Sequence, residues 1–245
     1  MGETGETLLS LSGVHTHIGQ YHILHGVDLE VPRGQLTMLL GRNGAGKTTT
    51  MRTIMGLWQA RQGAVRFAGE DIARLATPDI ARRGIAYVPE NMGIFGTLTV
   101  EENMVLAARR SGLNAERLDW IYSLFPAMRK FWRWPAGQLS GGQKQMLAIS
   151  RAIIEPAELL LVDEPTKGLA PTIIDALAEA IMALKQTGVT ILMVEQNFAL
   201  ARRVGDTVAV MDDGKIIHTG TMAELGADTA LQGRLLGLDI GGGTA

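Results

Sequence analysis

The sequence predicts an α/β fold with an antiparallel β subdomain and an inserted α-helical subdomain, and three observations carry that prediction. First, five short runs, Leu36–Leu40, Ile85–Val88, Leu159–Val162, Thr190–Val194 and Thr207–Met211, are apolar nearly throughout rather than at alternate positions. Such runs suit parallel strands covered on both faces. Second, helical stretches separate them, for example Thr172–Thr187 and Phe198–Val204. That alternation implies a parallel sheet with right-handed crossovers. Third, residues 8–33 and 63–69 alternate apolar with polar positions around turns, as antiparallel strands do; Val65 and Phe67 form one such alternation.

The helical insert follows from residues 99–155, which contain no convincing strand. They open with Thr99-Val100-Glu101-Glu102, a capping box in which the Thr hydroxyl and the Glu carboxylate satisfy free backbone donors at a helix start. The expected layout is one unit over residues 7–237, its core and β subdomain at 7–98 and 156–237 and its helical insert at about 99–155. Residues 238–245, ending in Gly241-Gly242-Gly243, are expected to form a flexible tail.

The chain's 245 residues suit one large domain or a core with an insert, and 46% apolar residues can build a buried core. A net charge of -2 gives no basic surface for nucleic acid as the main partner. No cysteine is present, which excludes disulfides and thiolate metal sites. Residues Met1–Glu6 lack a basic region followed by an apolar stretch, so no signal peptide is expected. Gly2 hints at lipidation, but Glu6 stands where that motif wants Ser or Thr. No run of about 18 apolar residues occurs, so membrane association would come through a partner.

Chemistry is concentrated in three motifs. Gly41-Arg42-Asn43-Gly44-Ala45-Gly46-Lys47-Thr48 matches the P-loop pattern in full, after the Leu36–Leu40 strand and before an expected helix, Thr49–Leu57. Its glycines let the backbone curl so that several N–H groups face one centre, and the helix adds its positive end. Lys47 supplies a charge for the β- and γ-phosphates, the Thr48 hydroxyl ligates Mg²⁺, and Thr49 can bond the α-phosphate. In Leu159-Leu160-Leu161-Val162-Asp163-Glu164, two acids emerge at the carboxyl end of a buried strand, where open α/β sheets bind ligands. Asp163 is expected to hold Mg²⁺ and Glu164 to polarise the attacking water. The third motif, Leu139-Ser140-Gly141-Gly142-Gln143, lies about twenty residues before the acidic strand. Ser140 to Gln143 also has capping-box spacing, which presents free N–H groups at a positive helix end.

With these three motifs in this order, the chain resembles the ABC transporter ATPases from about residue 7 to about 237. The resemblance implies a P-loop NTPase (RecA-like) core, ATP and Mg²⁺ as ligands, and hydrolysis in a dimer. Ser140 and Gly142, with Gly141 and Gln143 beside them, would face the γ-phosphate held by the other subunit's P-loop. Within the family the chain looks like ATPases of importers for branched-chain and other hydrophobic amino acids and related amides. Val88-Pro89-Glu90, Leu98–Asn103, Gln145–Ala148, Asp163–Thr166, Gly168–Pro171 and Val194–Asn197 carry that likeness. It implies a second ATPase subunit, homo- or paralogous, integral membrane permease subunits, indirectly a solute-binding protein, and a peripheral place on the cytoplasmic face of the plasma (inner) membrane.

Three positions depart from the family pattern. Glu90 stands where most members have Gln; it can ligate Mg²⁺ but adds charge near the γ-phosphate. Gln196 replaces a His; it can hydrogen-bond the γ-phosphate but not carry a proton as imidazole does. Ala170, followed by Pro171, replaces an Asp and removes a cross-dimer polar link. These departures fit the amino-acid importer subgroup, and they leave open a partner ATPase doing most of the turnover. The base-stacking Tyr of the family aligns with Ile18; His17 or Tyr21 could flank the base instead.

Two further clusters have bland and functional readings. His15, His17, His22 and His25 fall close together, with His15 and His17 on one strand face, but no acid or thiol completes an evident metal set. Phe131-Trp132-Arg133-Trp134-Pro135 either packs inside the helical insert or docks a membrane partner. Met92, Ile94 and Phe95 are better docking candidates, because the family's docking groove lies between the segment after Glu90 and the helical insert. The expected function is uptake of a small solute through a separate permease. An exporter ATPase is one alternative, and an ATPase of DNA repair or ribosomes another; the latter usually have two nucleotide sites, long insertions or basic linkers, and this chain has one P-loop.

Overall fold

The computed structural model describes residues 6–108 and 112–237. The Gly2 reading and the 238–245 tail lie outside the described residues.

The chain opens with a hairpin of β1 (Thr7–Ile18) and β2 (Tyr21–Pro32), then crosses through β3 (Leu36–Leu40) into α1 (Lys47–Ile54). β4 (Ala60–Phe67) returns to pair antiparallel with β1, and the two-residue β5 (Glu70–Asp71) completes a sheet of order β2-β1-β4-β5. Next come α2 (Thr77–Arg82) and β6 (Ile85–Val88), and then the insert: α3 (Val100–Ala107), α4 (Ala115–Leu124), α5 (Pro126–Lys130) and α6 (Gly141–Ala152). The chain continues through β7 (Leu159–Asp163), α7 (Pro171–Lys185), β8 (Thr190–Val194), α8 (Phe198–Val204), β9 (Thr207–Asp212), β10 (Lys215–Thr221), α9 (Met222–Ala227) and α10 (Thr229–Leu236).

The larger sheet has the order β10-β9-β3-β8-β7-β6. Its inner pairs are parallel, and β10 joins antiparallel at the β9 edge. Alternate residues of each parallel strand enter two different cores. Leu36, Met38 and Leu40 pack with Leu160, Val162, Ile191 and Met193 against the helical insert, α7 and α8. Leu39, Leu161, Leu192 and Val194 pack with Met51 and Ile54 of α1 against Leu9, Leu11 and Val65 of the antiparallel sheet. Burial on both faces is why these strands lack polar alternation. Because β3, β6, β7 and β8 run parallel, the chain leaves all four at one edge, at Gly41, Glu90, Glu164 and Glu195.

The insert is tied to the core by a buried amide. Asn103 donates from Nδ2 to the carbonyls of Phe95 (3.0 Å) and Thr99 (2.9 Å) and accepts from the Phe95 N–H (2.9 Å), which folds the loop ahead of α3 onto the helix start. Thr99 caps α3 through the reciprocal bonds its spacing predicts. Among the described residues, no helix is long and apolar enough to cross a membrane.

Candidate active site

The turn after β3 is built for close backbone approach. Gly41 has φ +146°, and a Cβ there would lie 2.1 Å from the Met211 carbonyl oxygen, so the chain can pass β9 only as glycine. Gly44 and Gly46 also have positive φ, +83° and +107°. No side chain caps α1 and its first turn holds no acid, whereas α3 and α6 both carry capping boxes. A helix start without a cap leaves its backbone N–H groups free for an anion. Lys47 is 4% exposed. Its ammonium donates to the carbonyls of Gly41 (2.8 Å) and Arg42 (2.9 Å), curling back over the turn. Burial lowers its pKa, and the Glu164 and Asp163 carboxylates oppose that shift.

Across from this turn, Asp163 closes β7, buried to 1% exposure. It accepts from the Thr48 hydroxyl (3.2 Å) and from the Tyr87 hydroxyl (3.3 Å). Burial raises its carboxyl to about 6, opposed by the Thr48 bond. Burial also raises the Tyr87 phenol. The paired oxygens of Thr48 and Asp163 are the hard donors that a magnesium ion takes.

Glu164 follows with φ +47°, a left-handed conformation uncommon outside glycine, Asn and Asp. Its N–H is held by the Val194 carbonyl at 2.9 Å, and its Oε1 accepts from Gln196 Nε2 at 2.7 Å. Lys47 Nζ stands 4.0 Å away and Lys167 Nζ 3.8 Å. Lys167 also pairs with Glu90 at 2.5 Å. Ile23, Asn43, Gly44, Gly46, Lys47, Thr48, Thr49, Glu90, Glu164 and Lys167 together line a cleft of about 390 Å³. Arg42 lies instead with Gln196 and Glu195 in an adjoining pocket.

Ser140, Gly141, Gly142 and Gln143 do not line this cleft. Ser140 caps α6 with its hydroxyl accepting from the Gln143 N–H (3.3 Å), while the Gln143 side chain accepts from the Ser140 N–H (2.9 Å). Ser140 and Gly141 are exposed, so this positive helix end faces outward. Gly142 is buried, and a Cβ there would lie 2.4 Å from Ile173 of α7.

Sequence reasoning missed the device that links the two acidic turns. Glu195, 2% exposed, accepts from the N–H and hydroxyl of Thr166 and from the N–H groups of Gln196 and Asn197. It ties the segment after Glu164 to the turn carrying Gln196, and burial raises its pKa against these bonds. Its sequence signals are an acid directly after a buried strand and its place in the Val194–Asn197 segment, neither of which shows the clamp.

The four histidines all lie on β1 and β2, with His15 paired to His25 and His17 to His22. His17 and His22 stack at 4.1 Å, and His15 Nδ1 lies 3.0 Å from His22 Nε2. Among the described residues no group of three or more His, Asp or Glu is arranged to hold a metal ion. Tyr21, at the hairpin turn, is 65% exposed, and Ile18 is half-buried. Met92 and Ile94 are half-buried against the insert's core, whereas Phe95 is exposed with Arg151 over its ring. Phe131 and Trp132 pack on the same core, and Trp134 is exposed.

A family model described as ABC transporter matches residues 24–167. A protein named "High-affinity branched-chain amino acid transport ATP-binding protein BraG", from Pseudomonas aeruginosa, is 39% identical over 94% of this chain and 100% of its own length. "Probable branched-chain amino acid transport ATP-binding protein LivF", from Archaeoglobus fulgidus, is 36% identical over 84% of this chain and 89% of its own. Of solved structures, an "ATP binding subunit of ABC transporter" is similar with TM-score 0.77 and 33% identity, covering 93% of this chain and 95% of that one. The ADP conformation of the cassette MJ1267 gives TM-score 0.78 at 25% identity, over 92% and 97%.

Proposed function

The chain belongs to the ABC transporter family and is an ATP-binding ATPase, and on that premise we propose that it powers uptake of branched-chain or other amino acids, or their amides, through a separate permease. The observation that supports this most is the meeting of Lys47, Thr48 and Glu164 around one cleft at the carboxyl edge of the parallel strands, with Asp163 bonded to Thr48 and Gln196 to Glu164 behind them. The names of its relatives supply the solute class.

In this reading the P-loop, Gly41 to Thr49, wraps the triphosphate with backbone N–H groups, and Lys47 turns from its carbonyl partners to the β- and γ-phosphates. Thr48, Asp163 and Glu90 offer the oxygens for a magnesium ion, which would neutralise charge on the β- and γ-phosphates. Glu164 takes the proton of the attacking water, and Gln196 holds its carboxylate in place through their hydrogen bond. The outward helix end at Ser140–Gln143 completes the site of a facing ATPase subunit, with the Ser140 hydroxyl and the backbone N–H of Gly142 toward that subunit's γ-phosphate. The functional unit is then 7–237, with the segment at about 99–155 acting as a helical insert that contacts the permease. The chain sits peripherally on the cytoplasmic face of the membrane.

Purification of a tagged chain from membranes in mild detergent tests this. Permease subunits and a second ATPase subunit are expected to accompany it, and added solute with its binding protein should raise its ATPase rate. Recovery with ribosomes or DNA, and no permease, would overturn the transport reading.

A further inference from the structure

We propose that Lys167 is a positioning residue whose ammonium neutralises Glu90 at the cleft wall, so that the Glu90–Lys167 pair presents Mg-ATP with a net-neutral ligand in place of a bare carboxylate. The inference rests on the reading that Mg-ATP binds in the cleft lined by Lys47, Glu90, Glu164 and Lys167.

A carboxylate beside a triphosphate is a liability. It can coordinate magnesium, but its charge repels the phosphates unless a cation stands against it. Glu90 has that cation: Lys167 Nζ lies 2.5 Å from Glu90 Oε1, across 77 residues of sequence. Lys167 is 3.8 Å from Glu164, but that carboxylate already accepts from Gln196 at 2.7 Å and faces Lys47 at 4.0 Å. Glu90 is therefore the principal partner of Lys167.

The lysine is also held in place. It closes the turn Glu164-Pro165-Thr166-Lys167 by donating its N–H to the Glu164 carbonyl at 3.2 Å. Thr166, one residue earlier, is clamped by the buried Glu195 carboxylate through its N–H at 3.0 Å and its hydroxyl at 2.8 Å. The base Glu164, the cation Lys167 and the Gln196 turn thus share one anchor.

This pair does little for folding. The Lys167 and Glu90 side chains are 62% and 37% exposed, and exposed ion pairs contribute little to stability. Its effect belongs to the loaded cleft, where nucleotide displaces water and strengthens every charge interaction.

The test is a calorimetric titration with Mg-ATP, run in a Glu164→Gln background to suppress turnover, on four forms: native at 90 and 167, Lys167→Ala, Lys167→Arg and Glu90→Gln/Lys167→Ala. Lys167→Ala should weaken binding by about five-fold, with the loss shrinking as salt is raised. Lys167→Arg should bind within about two-fold of the native pair, and the double variant should bind more tightly than Lys167→Ala alone. Melting temperatures of all four should agree, which separates a charge role from a folding one. Unchanged affinity in Lys167→Ala, or a double variant as weak as Lys167→Ala alone, would overturn the proposal. Lys47→Ala in the same background serves as the control for the cleft: if it binds Mg-ATP normally, the cleft reading fails, whatever Lys167 does.

Discussion

Gln196 and Glu164, 32 residues apart, meet through a 2.7 Å hydrogen bond from the amide Nε2 to the carboxylate Oε1. The donor stands where the family has an imidazole, and it orients the acid without offering it a proton route. Glu164→Gln should keep Mg-ATP binding and lower phosphate release by at least about a hundred-fold. Gln196→Ala should slow turnover by about ten-fold in the assembled transporter, mostly in kcat, because a positioning bond rather than the base is lost. Steady-state phosphate assays read both. Normal turnover in Glu164→Gln would remove it from the base role.

Lys47 is the buried cation of the cleft, resting on the Gly41 and Arg42 carbonyls. Lys47→Ala should lower ATP affinity by at least about a hundred-fold, since hydrogen bonds to charged groups contribute about 1.5–3 kcal/mol each and more than one is lost. Titration calorimetry is the check. The fold should survive, because no buried acid depends on Lys47 alone: Asp163 keeps Thr48 and Tyr87, and Glu164 keeps Gln196.

Gly41→Ala should fail differently. Its Cβ would meet the Met211 carbonyl oxygen at 2.1 Å, and backbone cannot yield as a side chain can. A loss of about 3 kcal/mol is expected, lowering the melting temperature by roughly 6 to 12 °C. A melt equal to the native one would show that the turn is not packed against β9 as described.

The sequence read well where a signal was local. Leu36–Leu40, Ile85–Val88 and Thr190–Val194 have the predicted limits because each run is buried on both faces and ends at a turn. The helix expected at Thr49–Leu57 instead starts at Lys47 and stops at Ile54, since the P-loop itself forms the first turn. β10 went unread because its residues, Lys215–Thr221, alternate half-buried with exposed and include Gly220. The P-loop and the acids of β7 could be named from spacing. The Glu90–Lys167 pair and the Glu195 clamp could not, because strand order creates them; the histidine cluster could be named, but not the pairing that stacks His17 on His22.

Those histidines give a pH prediction. Burial lowers the pKa of His17 below its ordinary 6.5, aided by the positive charges of His22, Arg61, His15 and His25. Its Nδ1 is buried with no hydrogen-bond partner. A depressed His favours the folded state while neutral, so its contribution is complete above pH 6.5 and is lost as pH falls from there through its folded value. The melting temperature should fall between pH 7.5 and about 5.5. His17→Phe, which keeps a ring on His22, should flatten that fall. An equal slope in the variant would show that His17 does not titrate in this window.

A nucleotide shared between two ATPase subunits is the central prediction, because the capped start of α6 at Ser140 lies outside the cleft its own chain forms. The most direct measurement is the structure of the Glu164→Gln form with Mg-ATP, assembled with its companion subunit. The γ-phosphate is predicted to lie within hydrogen-bond reach of Lys47 in one subunit and of the Ser140 hydroxyl and the Gly141–Gly142 backbone in the facing one. A γ-phosphate enclosed by a single chain, with the Ser140 helix end turned to solvent, would contradict the account.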